Sequence, residues 1–169
     1  RTQWCHGAPG VALARRRAVE ILGADAYGAE ARIALATTET ETATAATHET
    51  LSWCLCHGLA GNADVLLEGR RRLGLASEDR LPERLAAIGL DAHVAGGLPW
   101  PCGIPVPGRE VPGLMLGLAG IGHFFLRMAS PLVPSALFVP ARDLTRSLRA
   151  LGAGDAARRV SVGAQEVTT

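Results

Sequence analysis

With 169 residues and 48% hydrophobic content, the chain has enough apolar side chains for one domain with a real core, which excludes a disordered polypeptide. A formal net charge of +1 and a pI near 7.9 give no field strong enough to point to nucleic acid or an acidic membrane surface. No apolar run reaches the roughly 18 to 20 residues of a spanning helix and the start lacks a signal-peptide pattern, so a cytoplasmic location is expected.

Arg1 is not a start methionine, and the densest motif begins three residues later, so the chain is expected to be the tail of a longer protein. The first element is a Gly-x-x-G turn, Gly7 to Gly10, followed by helical apolar spacing at Val11, Ala14, Ala18 and Ile21. A second helix is expected over 29–46. Its Thr/Glu-rich end, 37–50, reads as a helix terminus running into a solvated loop, with low-complexity disorder as the rival. The turn then recurs at Gly58 to Gly61, ahead of Val65, Leu66 and Leu73, and a helix is expected over 82–92. Residues 98–112 hold five prolines and read as an irregular connector. It leads to a third turn, Gly117 to Gly120, with Ile121, Phe124, Phe125 and Met128 at helical spacing. An amphipathic Arg-rich helix is expected over 143–151 and a loose tail from 152, so 1–140 is taken as the body and 141–169 as the terminal extension.

The turns lie 51 and 59 residues apart, so the chain is an all-α repeat of helix pairs about fifty residues long. Such pairs stack as an open solenoid or close into a ring of inner and outer helices, and the pattern alone does not choose. The helices after the glycine turns carry few acidic residues and read as the inner set.

Aligned on their first glycine, the turns place Cys5-His6-Gly7 over Cys56-His57-Gly58, with Met115-Leu116-Gly117 third. Two of three equivalent positions therefore bear soft metal-binding groups. Around a common axis Cys5 and Cys56 would meet, and thiolate with imidazole favours zinc over magnesium or calcium. Cys5, His6, Cys56 and His57 together would make a closed four-ligand structural site, whereas three of them would leave a catalytic position open. The plain alternative is buried, inert thiols and helix-capping histidines. Glycine at the turns is expected to supply positive φ and close backbone approach. Cys54 reads as a small buried hydrophobe, Cys102 receives no chemistry, and His48, His93 and His123 read as loop, surface or packing residues. Trp4, Trp53 and Trp100 read as core or groove side chains.

Four stretches resemble the lanthionine synthetase cyclase family, in particular the C-terminal cyclase domain of class II lanthipeptide synthetases: WCHGAPG from Trp4, CHGLAG from Cys56, WPCG from Trp100 and PGLMLGLAGIGHFFLRM from Pro112. The resemblance implies an α/α toroid of which this chain supplies roughly the last three helix pairs. It also implies Zn2+ held by Cys5, Cys56 and His57, with His6 and Arg1 beside the substrate. The implied reaction is Michael addition of a peptide cysteine to dehydroalanine or dehydrobutyrine. The implied partners are a dehydrated precursor peptide, an upstream dehydratase domain and the rest of the toroid. The family's general acid, a histidine assisted by an aspartate, belongs to an earlier turn, so no catalytic acid is assigned to this chain.

Overall fold

In the computed structural model the described residues are 2–23, 25–47, 52–73 and 80–138. Arg1, His48, the expected helix at 143–151 and the tail from 152 lie outside them. Among the described residues the fold is all-α: α1 (Ala8–Leu22), α2 (Asp25–Ala45), α3 (Leu59–Leu73), α4 (Leu81–Gly89) continued by a π-helical stretch (Leu90–Ala95), and α5 (Leu118–Ala129). Each glycine turn opens a helix, as the spacing predicts. The helices α1, α3 and α5 form a row in which α3 touches both others; α2 packs on α1 and α3, and α4 packs on α3 and α5. The row is thus an inner layer and α2 with α4 an outer one, the two-layer plan of a toroidal arc.

The shared core is built from Leu13, Leu35, Trp53, Leu55, Leu66, Leu85 and Phe124 with their buried neighbours. In α4 the buried Leu81, Leu85 and Gly89 recur every four residues along one helical face, and Pro82 lies in the first turn, where its missing N–H costs nothing. Helix α1 ends on Gly23 in the left-handed conformation, its N–H donating to Val19 O at 2.9 Å.

Two expectations are corrected and one is borne out. The Thr/Glu stretch is helical to Ala45, the helix terminus expected, and 48–50 lie outside the described residues. Ala31, Leu35, Thr38 and Thr42 are buried at helical spacing, and Thr38 Oγ donates to Ala34 O at 2.7 Å, so threonine conceals an apolar stripe that tertiary packing enforces. In α1 the buried side is Pro9, Ala12 and Leu13, not the Val11–Ile21 side. Val11 is 46% and Ile21 57% exposed, because the helix is apolar on more than one face. Finally, the helix expected to stop at 92 runs as a π-helical stretch to Ala95.

The few acidic residues of the inner helices are structural. Arg127 of α5 has a fully buried side chain and pairs with Asp64 and Glu68 of α3, the Glu68 contact at 2.9 Å. Its Nε donates to Val133 O at 3.4 Å, and Ser135 Oγ donates to Asp64. This ties the segment after α5 to the inner layer. Glu68 also receives Arg72, which reaches Glu20 of α1 at 3.2 Å, so one ionic chain crosses all three inner helices.

Candidate metal centre

The three turns are the same object built three times. The first glycine of each accepts the helix's opening N–H: Val11 to Gly7, Asn62 to Gly58 and Ile121 to Gly117, each at 3.2 Å. The second glycine, at 10, 61 and 120, lies against the carbonyl of the residue six positions earlier, Trp4, Leu55 and Leu114, where a Cβ would overlap the oxygen. Close approach is therefore what these positions demand. Positive φ, expected throughout, occurs only at Gly7 among the six turn glycines.

Neighbouring turns are stitched at equivalent residues. Cys5 N–H donates to Cys56 O at 3.3 Å, and Cys56 N–H donates to Met115 O at 3.0 Å. This ladder sets the first two cysteines side by side across 51 residues of chain. Cys5 Sγ, Cys56 Sγ and a ring nitrogen of His57 all lie within 4.8 Å of one another, the one metal-competent cluster among the described residues. Cys5 is exposed, and Cys56 and His57 are half-buried. His6 is exposed and stands outside the trio, its backbone N–H donating to Gln3 O at 3.2 Å. Arg1 lies outside the described residues. All four cysteines are free thiols.

The donor set fits a soft divalent cation. Burial, then a hydrogen bond and charge from Cys5, and then charge from Cys54, push the Cys56 thiol up to about 11. Two thiolates at this separation repel, and a cation between them would offset that repulsion and the cost of burying the charge. The ligands immediately precede α1 and α3, whose N-terminal ends carry partial positive charge that favours thiolate.

Cys54 is completely buried, as expected of a small hydrophobe, but it also accepts the backbone N–H of His57 at 3.4 Å. The Pro-rich connector presses onto the same point. Gly103 N–H donates to Leu116 O at 2.7 Å, and a Cβ at Gly103 would lie 2.6 Å from Cys54 Sγ and 3.0 Å from His57 Cε1. Neither residue's role carries a motif of its own; the only sequence signal is that Gly103 closes the family-like WPCG stretch and Cys54 lies two residues before CHGLAG.

At its base the connector is held by aromatic packing. Trp53 meets Trp100 edge-on at 5.4 Å and stacks on Phe125 at 6.5 Å, while Trp53 N–H donates to Pro101 O at 2.7 Å. His93, expected as a surface residue, belongs to this cluster, with its ring 4.4 Å from that of Trp100. The π-helical stretch carries it there. His123 is half-buried on α5. Trp4 packs at the edge of the core, and Cys102 is buried beneath the connector.

Two clefts open beside the trio. The larger, about 750 Å³, runs between His57 and the connector's prolines; the smaller, about 220 Å³, lies toward α2 and Asn62. No described helix is long and apolar enough to cross a membrane. The sequence model of the family described as lanthionine synthetase C-like protein matches residues 1–139. No curated protein matches the chain, and no solved structure does.

Proposed function

The chain belongs to the lanthionine synthetase C-like family, and on that premise we propose that Cys5, Cys56 and His57 bind Zn2+ for lanthionine and methyllanthionine formation. The family acts on peptides. The observation that carries the reading is the convergence of two thiols and one imidazole, within 4.8 Å, on register-equivalent turns. When bound, zinc supplies a Lewis acid that brings a substrate thiol, with an ordinary pKa near 8.5, to its nucleophilic form at neutral pH.

Cys5, Cys56 and His57 would hold the metal, and three protein ligands would leave room for a substrate thiol as the fourth. Cys54 and Gly103 fix His57 against the connector, so the imidazole does not have to be ordered when the metal arrives. The peptide thiol loses its proton, the sulfur adds to the β-carbon of dehydroalanine or dehydrobutyrine, and a proton returns at the α-carbon; mass is unchanged and a thioether ring closes. The proton donor is proposed to come from an earlier turn of the complete toroid, and His6 to form part of the polar wall. The remaining elements of the proposal are a class II synthetase, a dehydratase domain ahead of this chain, a dehydrated precursor as partner, and a cytoplasmic location.

Incubating a dehydrated precursor with the full-length protein should consume free thiol without a mass change. Thiol that stays open to alkylation would support the other reading, a cyclase-like zinc protein that captures thiols such as glutathione, or an inactive relative. That reading draws on the exposure of Cys5, which leaves the trio accessible to small thiols.

A further inference from the structure

The two clefts share a rim. Gln3 and His57 line both, so a peptide that reaches the trio with its cysteine has one flank in each. The clefts differ in chemistry. The larger is walled by Pro99, Pro101, Ile104, Pro105, Val106 and Pro107, with Gln3, Ser52 and His57 as its polar groups, and among the described residues no Asp, Glu, Lys or Arg lines it. Its volume of about 750 Å³ falls within the roughly 300–1,000 Å³ typical of ligand sites. The smaller is polar. It is lined by Thr2, Glu41, Asn62 and their neighbours, and among the described residues Glu41 is its one formal charge.

The polar floor of the smaller cleft is fixed. Asn62 is 5% exposed, and its Nδ2 donates to Thr2 O at 3.0 Å and to Thr42 Oγ1 at 3.1 Å. Because Thr2 O only accepts, the amide cannot be turned over. The prolines opposite are equally fixed, by Trp53 N–H on Pro101 O and by Trp100 N–H on Glu110 at 2.8 Å. Both walls are therefore present before a peptide arrives.

We infer that this site reads the residues flanking the reacting cysteine: an uncharged apolar side chain on the Pro-connector side and a basic one on the Glu41 side. The inference rests on the thiol-presenting reading above and adds the class of peptide. An acidic flank is disfavoured on both sides. In the larger cleft a carboxylate would be stripped of water without a counter-charge, and in the smaller it would face Glu41.

The test uses the full-length, zinc-loaded protein and capped five-residue peptides with Cys or Ser at the centre, titrated calorimetrically. Peptides with Leu on one side and Arg on the other, in either order, are compared with peptides flanked by Glu. The better Leu/Arg order should bind about tenfold tighter than the Glu peptide, the worth of burying one Leu-sized side chain. Val106 is 47% exposed and lies outside the ligand set, so Val106→Asp should fold and should abolish most of that preference. Glu41→Gln should reduce the Arg preference about two- to fivefold, as expected of an exposed ion pair.

Flank preference must persist with Ser at the centre, because the clefts read it and the metal does not. Equal affinity for Leu/Arg and Glu peptides overturns the inference, as does an unchanged preference in Val106→Asp, or no binding by any peptide. Flank preference without any advantage of Cys over Ser would instead overturn the thiol reading and leave the flank assignment standing.

Discussion

The inner helices carry two clusters of polar chemistry, and their contrast separates what is built to bind from what is built to hold. Around Arg127 every charge is matched: Asp64 and Glu68 take the guanidinium, Ser135 and Arg72 take the remaining carboxylate oxygens, and the side chains of Arg127, Asp64 and Glu68 are nearly inaccessible. Around Cys56 the reverse holds. Two thiols and an imidazole share one point without mutual neutralisation, and one of them is exposed. A saturated buried cluster gives rigidity, whereas an unsaturated, accessible one is set up for a ligand from outside.

The contrast is broken most severely at Arg127. Replacing it with Met leaves Asp64 with only Ser135 and Glu68 with only Arg72, two buried carboxylates without the cation that joins them, and should cost about 3–5 kcal/mol of unfolding free energy. Urea denaturation would measure it. A simultaneous change of Arg127, Asp64 and Glu68 to apolar residues of similar volume should recover most of that loss. If the single and triple variants are equally unstable, the cluster's worth lies in its packing rather than in its charge balance.

At the other cluster, Cys56→Ala should lower zinc affinity by more than the roughly 10- to 100-fold that loss of a mere supporting contact costs. Competition with a chromophoric chelator under reducing conditions would read it. His6→Phe should leave affinity within a few-fold of the parent. Equal losses in both variants would restore His6 to the ligand set and close the site.

The two clusters also differ in how far sequence exposes them. The trio is legible because a repeat converts distance along the chain into equivalence in space. Cys5 and Cys56 occupy the same register, and the hydrogen bonds from Cys5 to Cys56 to Met115 follow that register residue by residue. Choosing His57 over His6 needed the family resemblance, since adjacent residues at a turn cannot be told apart by spacing. The Arg127 cluster has no such code. Its members sit at unrelated positions on α3 and α5, and an Asp, a Glu and an Arg on amphipathic helices look like solvated charges until the helices are packed. The threonines of α2 hide their place for a related reason: Thr38 and Thr42 satisfy their hydroxyls locally or on Asn62 and are buried, although their type suggests a solvated face. Likewise the prolines of the connector predict irregularity but not the cleft they wall.

Gly103 supports the unsaturated cluster from the connector side, because it lets the connector rest directly on Cys54 and His57. Gly103→Ala would put a methyl 2.6 Å from Cys54 Sγ, an atom of a completely buried side chain with no room to retreat. Overpacking of this kind should cost about 1–3 kcal/mol in stability. It should also weaken zinc binding, since His57 Cε1 is 3.0 Å from the same methyl. Pairing the change with Cys54→Ala makes room for the methyl. Recovery of stability and zinc affinity in the double variant would show that the strain passes through Cys54, and recovery of neither would place the damage in the connector.

The smallest effect is the most diagnostic in sign. In the metal-free protein the Cys56 thiol titrates near 11 instead of its ordinary 9.0, chiefly through burial and then through Cys5. Between those values the unfolded chain has released its proton while the folded chain keeps it. The stabilisation from this group is therefore complete below pH 9 and declines as pH rises from 9 to 11. Zinc reverses the slope. With the thiols ionised in the folded, metal-bound state and still protonated in the unfolded chain, stability at constant free zinc should climb as pH approaches 9. Melting temperatures should therefore rise toward pH 9 with zinc buffered, where the metal-free curve is level, and fall from pH 9 to 11 with zinc removed by chelator. Parallel curves would mean that the thiols of Cys5 and Cys56 do not give up protons to the metal, and the trio would then be a cluster of inert thiols on the same ladder of turns.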